Sequence, residues 1–391
     1  MTVQVFLYSL VRGDMVGARD FAVYWATGQQ LAHHLNPYDA EALLRIEHSA
    51  GLISPHGAMF MRNLPWTLPL VYPLGFIGLW VGWALWSLLL LACLLFSVHA
   101  LWVMHGRPDN RRHFIGYSFG PAFICLIDGQ CSLFVLVGLV LFLRFNRSKP
   151  FLAGLSLWLC ALKPQLFVPF GLVLLAWVIV SKNLKLLAGL AVALSASVAI
   201  TFCIDPAAWA QYLHMLHTSG IERDPIPCMS FLLRYWISLP SVWLQYVLPV
   251  CGCAWALKYF WSRRFRWDWM KDGGLLILVS ILAAPYSWLY DQVLAIPALM
   301  DGAYRSRSRS MVIALAFASA LVEVALVGTN WRASALYLWT LWTAPAWLAW
   351  YLLATRSNSH LMQRIRGDAE ISDDDFISKS IEGQISKPSL R

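Results

Sequence analysis

Between Arg62 and Arg107 the chain carries no Asp, Glu, Lys or Arg at all, and similar apolar stretches recur along its length, parted only by short basic clusters. A run of that kind is longer than the ~20 residues that carry a helix through a bilayer. Inside hydrocarbon the backbone must satisfy its own hydrogen bonds, so repeated runs of this kind dictate repeated helical crossings. The composition agrees: 59% of the residues are apolar and 13% charged, against roughly 25% charged in ordinary soluble domains. The expected fold is an all-α polytopic membrane bundle of about 11–12 transmembrane helices, some of them short or broken, with loop helices on the extracytoplasmic side.

A net charge of +9 would suit a nucleic-acid partner if it were spread over one face. Instead it sits in short loops: Arg107 to Arg112, Arg144 to Lys149, Lys182 and Lys185, Lys258 to Lys271, Arg305 to Arg309, and the tail from Arg356. These hold 22 of the 30 Lys and Arg, the asymmetry that marks cytoplasmic loops. The expected location is therefore the cytoplasmic membrane, multi-pass, with a cytoplasmic C-terminus and no nucleic-acid partner. Residues 1–355 form the membrane domain, with outside loops at about 12–63 and 205–240. Residues 356–391, polar and carrying Asp373 to Asp375, read as a disordered cytoplasmic tail. The apolar start, Met1 to Val11, has about half the length of a crossing, so it reads as interfacial or as the remainder of a longer segment.

Three pairs of apolar segments are short: His113 to Ile127 with Cys131 to Phe145, Phe151 to Leu162 with Leu166 to Val180, and Leu275 to Ala284 with Gln292 to Tyr304. A helix of about 13 residues rises only ~20 Å against a hydrocarbon core of ~30 Å. The turns joining each pair should lie below the membrane surface. They carry Asp128-Gly129-Gln130, Leu162-Lys163-Pro164-Gln165, and Pro285 through Asp291. Polar, irregular backbone at such depth is tolerated where protein or a water-filled cavity encloses it, so the three turns should converge on one outward cavity.

In the first outside loop, Asp20 to Leu31 has helical spacing of aromatic and apolar residues and could lie along the interface with that face in lipid. Asn36-Pro37-Tyr38-Asp39 then turns into a second helix, Ala40 to His48, with Asp39 as its N-cap. A related stretch, Ala207 to His217, follows Asp205-Pro206. Taken alone, Asp20 reads first as a helix cap, Tyr24, Trp25 and Trp288 as members of an interfacial aromatic belt, and Asp128 or Asp291 as internal partners of Lys163. Lys163, flanked by apolar helices, needs an anion to stay charged. His33, His34 and His48 lack further ligands at useful spacing. Seven of the eight cysteines lie in or beside apolar spans, Cys228 alone being in an outside loop, so neither a metal site nor a disulfide framework is expected.

The ordered motifs Asp20-Phe-x-x-Tyr-Trp-x-x-Gly28, Asn36-Pro-Tyr-Asp39, Asn63-Leu-Pro-Trp66 with Pro69-Leu70 and Pro73-Leu74, Gly129-Gln130, Ala161-Leu-Lys-Pro-Gln165, and Ala284-Pro-Tyr-Ser-Trp-x-Tyr-Asp291 resemble the glycosyltransferase family 87 proteins, which are membrane enzymes of the GT-C fold. The resemblance runs from about Asp20 to about Pro297. It implies transfer of a sugar of mannose or arabinofuranose type from a polyprenyl-phosphate donor to a glycolipid or cell-envelope glycan acceptor, outside the cytoplasm and with inversion. It also implies that Asp20 is the base that deprotonates the acceptor hydroxyl. Lys163, with Arg62 or Arg223, would face the donor phosphate. Gln130, Gln165, Tyr24, Tyr38, Tyr286, Trp288, Asp291 and Asp128 would bind substrate. No cofactor is implied, although other GT-C enzymes hold a divalent cation, for which Asp128 or Asp291 would serve. The alternative from another class is a secondary transporter, whose broken helices also meet at a central polar site.

Overall fold

The computed structural model describes residues 19–52, 59–220, 226–328 and 338–356. Met1 to Val11, Arg223, the turn around Asn330 and the tail beyond Arg356 lie outside the described residues. Among those described there is no strand, and the chain is a polytopic all-α membrane bundle. In order its helices are α1 (Arg19–Ala32), α2 (Ala40–Ser49), α3 (Leu79–Met104), α4 (Gly120–Asp128), α5 (Ser132–Phe145), α6 (Pro150–Cys160), α7 (Val168–Ser181), α8 (Leu184–Ile204), α9 (Ala208–Thr218), α10 (Met229–Ile237), α11 (Val247–Arg263), α12 (Trp269–Leu282), α13 (Ile296–Arg305) and α14 (Arg309–Gly328). A further helix, α15, occupies 343–356.

Three of these stretches are long and apolar enough to cross a membrane: α3, α8, and α7 together with the 3₁₀ turn Pro164–Phe167 before it. Helix α3 shows why hydropathy alone does not reveal which face is inside. Trp83, Trp86, Leu90, Leu94, Val98 and Leu101 are buried, and Leu85, Leu88, Leu89, Leu95 and Phe96 are exposed. Both stripes are equally apolar, because one meets protein and the other is left for lipid.

The short pairs are present, with boundaries set by proline and caps. The segment expected at His113 to Ile127 breaks into a single turn, Phe114–Tyr117, and α4 of nine residues. Pro121 stands in the first turn of α4, where a missing N–H costs nothing. Helix α6 ends at Cys160, ahead of Pro164, because the residue before a proline is pushed out of the helical region; Lys163 sits at φ −137°, ψ 67°. Helix α12 begins at Trp269 rather than Leu275, since Asp268 caps it by accepting from Met270 N at 2.9 Å. Its partner is a seven-residue 3₁₀ turn, Leu289–Ala295, running into α13.

Helix α1 departs from expectation. Phe21, Ala22, Val23, Tyr24, Trp25, Ala26 and Thr27 are all buried, so the helix is sunk into the bundle and does not float with one face in lipid. Its seat is made by backbone contact. A Cβ on Gly28 would stand 2.6 Å from the Val71 carbonyl oxygen, and one on Gly75 2.0 Å from that of Gly28. Trp25 Nε1 donates to the Ile77 carbonyl at 2.9 Å and Gln29 Nε2 to that of Gly75 at 3.0 Å. Tyr24 and Trp25 therefore do not belong to an aromatic belt. Asp20 lies inside the first turn of α1, favourable for the helix dipole, rather than ahead of it as a cap. Asp39 does cap α2, accepting from Glu41 N and Ala42 N.

Two pairs of the basic loops meet, 107–112 with 303–306 and 144–149 with 258–271. Arg112 donates to the Ala303 and Ser306 carbonyls, Arg147 pairs with Asp268 at 3.2 Å, and Arg305 with Asp301 at 2.9 Å. The polar turns lie at the other ends of the helices leaving those loops.

Candidate functional site

The three polar turns do converge, and Lys163 is where they meet. Its Nζ donates to Asp291 Oδ1 at 2.7 Å and to Gln130 Oε1 at 2.8 Å, and lies 4.7 Å from the centre of the Tyr290 ring. Lys163, Gln130 and Asp291 are buried, the last completely. The meeting point is thus filled by the turns' own side chains, where an open cavity was expected. Of the two carboxylates weighed as partners, Lys163 takes Asp291, while Asp128 is half-buried at the end of α4.

Asp291 is fully engaged. Oδ1 also accepts from Ser132 Oγ at 2.6 Å, and Oδ2 accepts the Trp288 backbone N–H at 2.9 Å. A buried carboxylate keeps its charge only with such a set of donors. The same contacts tie the start of α5 and the Trp288–Asp291 turn to the lysine. Gln130 Oε1 is shared between Lys163 and the Tyr24 hydroxyl, which donates to it at 3.1 Å and lies 3.4 Å from Cys131 Sγ.

Gly129 brings α1 to this cluster. It ends α4 at φ +70°, a conformation that favours glycine, and a Cβ there would lie 2.6 Å from Phe21 Cβ. The Gly129 carbonyl accepts from Trp86 Nε1 at 2.7 Å, and the Trp86 ring lies 6.2 Å from Phe21 and 5.7 Å from Tyr24. Asp20, the neighbour of Phe21, is half-buried and within electrostatic reach of both the Tyr24 and Tyr290 phenols.

The segment after the first loop clamps the lysine turn. Asn63 Nδ2 donates to the Leu162 carbonyl at 3.1 Å and Trp66 Nε1 to that of Ala161 at 2.8 Å. Tyr38 donates from its hydroxyl to the Asn63 carbonyl at 3.2 Å, and burial pushes its phenol well up, so it stays a neutral donor. Helix α9 covers this region, with the Tyr212 ring 5.3 Å from that of Tyr38 and the Trp209 ring 5.7 Å from that of Trp66. Tyr38 thus supports the turn from behind and is not part of the lysine cluster.

On the other flank, Tyr286 accepts from Arg62 Nη1 at 3.1 Å and from Trp288 Nε1 at 2.9 Å, and Trp288 stacks on Tyr290. Tyr286, Trp288 and Tyr290 are half-buried. Gln165 is half-buried and makes no side-chain hydrogen bond among the described residues, so it stands apart from the cluster. Ser132, Cys131 and the side chain of Asn63 are members of the site that motif reading left without a role. A serine or cysteine opening an apolar run looks like any small residue of a membrane helix.

The assembly can hold a fixed charge pair, present phenol and indole donors beside it, and carry one carboxylate, Asp20, at its edge. Among the described residues no three His, Cys, Asp or Glu side chains are grouped to hold a metal ion, and the eight cysteines are free. The family model described as glycosyltransferase family 87 matches residues 64–285. No curated protein and no solved structure matches the chain. Gln130 and Lys163 lie inside the matched span; Asp20 and the Tyr286–Asp291 turn lie outside it and rest on the geometry above.

Proposed function

Since the chain belongs to glycosyltransferase family 87 and is a membrane glycosyltransferase, we propose that it moves a sugar of mannose or arabinofuranose type from a polyprenyl-phosphate donor to a glycolipid or cell-envelope glycan, with Asp20 as the base. Membership in that family favours a transferase over a transporter. What supports the reading is that Phe21, next to Asp20, packs against the Gly129 turn, whose neighbour Gln130 binds Lys163, and that Tyr24 and Tyr290 feel the Asp20 charge.

The acceptor hydroxyl oxygen attacks the anomeric carbon while the bond from that carbon to the phosphate oxygen breaks. The hydroxyl proton passes to Asp20, and the electron pair leaves on the phosphate, with inversion at the carbon. A phosphate is stable as an anion, so what it needs is positive potential rather than a proton. Arg62, at the half-buried edge with Tyr286, receives the phosphate. Lys163, balanced by Asp291, adds its field from behind and fixes Gln130. Tyr24, Gln130, Tyr286 and Trp288 orient sugar hydroxyls, with Gln165 and Asp128 at the rim and Tyr38 supporting the lysine turn.

The site faces outside the cytoplasm in this reading. The clustering of basic loops at the opposite ends of the same helices supports that orientation, which also places the C-terminus inside.

The test supplies purified protein with radiolabelled polyprenyl-phosphate mannose or arabinose and a lipid extract, comparing the wild type with Asp20→Ala. Loss of labelled product by about 100-fold or more is expected from removal of a general base. Equal product from both proteins would overturn the assignment.

A further inference from the structure

We propose that a hollow between α1 and α2, at the end of α1 remote from Asp20, is a second carbohydrate-binding subsite that holds a distal, neutral sugar of the acceptor glycan. The hollow has a volume of about 720 Å³, within the range of small-ligand sites. Trp25, Gln29, Gln30, Asn36 and Arg45 are among its walls.

The observation that points to a ligand is Gln30. The residue is only 3% exposed, it lines the hollow, and its amide makes no hydrogen bond among the described residues. The amide is therefore open to the hollow, where a ligand with both donors and acceptors can take the place of water. The neighbouring groups are half-used in a complementary way. Gln29 spends its Nε2 on the Gly75 carbonyl at 3.0 Å, leaving its Oε1 to accept. Asn36 spends its Oδ1 on Tyr38 N at 2.9 Å, leaving its Nδ2 to donate. Sugar hydroxyls both donate and accept, and they match that alternation of open groups. Trp25, whose Nε1 is already bonded to the Ile77 carbonyl, adds an apolar ring to the wall, suited to the C–H face of a sugar.

No buried charge on the walls calls for an ionic ligand. The Asp39 carboxylate on the rim is committed to capping α2, and Arg45 is exposed and faces Glu41 at 4.0 Å. Ten residues of helix separate Gln30 from Asp20, about 15 Å along the axis. The hollow is too far to present the reacting hydroxyl, and it suits a sugar further along an extended acceptor. In that role the subsite rests on the glycosyltransferase reading above, and its test does not need turnover.

Protein in nanodiscs of sugar-free lipid is examined by saturation-transfer NMR with methyl α-mannoside and with oligosaccharides of mannose and of arabinofuranose, two to four units long. Wild type and Asp20→Asn should give transfer from at least one oligosaccharide series, and Gln30→Leu should weaken it at least 5-fold. Arg45→Ala, a surface change that leaves folding intact, should weaken it less, by about 2-fold. In turnover, Gln30→Leu should raise KM for a long acceptor with kcat and the KM of a one-sugar acceptor unchanged, the mark of binding lost equally from ground and transition states. No saturation transfer from any of these sugars, or equal transfer to wild type and a folded Gln30→Leu protein, would overturn the subsite. Loss of turnover in Asp20→Asn with binding retained leaves the two proposals separately judged.

Discussion

Lys163 Nζ lies 2.7 Å from Asp291 Oδ1, joining two turns 128 residues apart in sequence. The pair is buried on both sides, and a buried charge without its partner is far more costly than the intact pair or an apolar replacement of both. Asp291→Ala should destabilise the protein by about 3–5 kcal/mol, read as a drop in thermal unfolding temperature in detergent. Replacing both residues, Lys163→Met with Asp291→Leu, should recover part of that stability, the Ser132 hydroxyl and the Trp288 N–H staying unpaired, and none of the sugar transfer. Recovery of transfer in the double variant would mean that the pair serves only the fold.

Gly129 holds α1 against the lysine cluster. Gly129→Ala places a methyl group 2.6 Å from Phe21 Cβ at φ +70°, and the left-handed conformation alone costs an alanine about 1–2 kcal/mol. The start of α1, with Asp20, must move. Transfer should fall at least 10-fold with little loss of helix content by circular dichroism, and Phe21→Gly in the same chain should restore part of it by removing the Cβ that is struck.

Asn63 clamps the lysine turn through the Leu162 carbonyl. Asn63→Ala leaves that carbonyl without its side-chain donor and should cost about 1–3 kcal/mol. Because the turn carries Lys163, the loss in kcat should exceed what the fall in unfolding temperature accounts for. Unaltered kcat would show that the clamp does not position the lysine.

Orientation is tested by cysteine labelling of intact cells. In a background where the native cysteines are replaced, Arg307→Cys should resist a membrane-impermeant maleimide added outside, and His217→Cys, exposed on α9, should react. The reverse pattern would turn the site to the cytoplasm.

The elements that were legible in the sequence are those where local chemistry contradicts its surroundings. Lys163 between apolar helices, Pro164 after it, and Asp128-Gly129-Gln130 between two short runs stand out because hydrocarbon does not tolerate them unaided. Asp39 before Ala40 announces a cap for the same local reason. Helix α1 was legible as a helix and misleading as to its place. An aromatic stripe that faces protein and one that faces lipid obey the same 3.6-residue period, and what buries Tyr24 and Trp25 is the meeting of Gly28 with Gly75, residues 47 positions apart. The choice of Asp291 over Asp128 by Lys163, and the part of Ser132, depend on how three turns stack, which no local pattern records.

The most direct measurement separates donor binding from transfer in Asp20→Asn, which keeps the size of the side chain and one accepting oxygen and removes its basicity. The account predicts that the purified variant binds radiolabelled polyprenyl-phosphate sugar with an affinity within 2-fold of wild type, while single-turnover transfer to acceptor falls by about 100-fold or more. Transfer within a few-fold of wild type would contradict it.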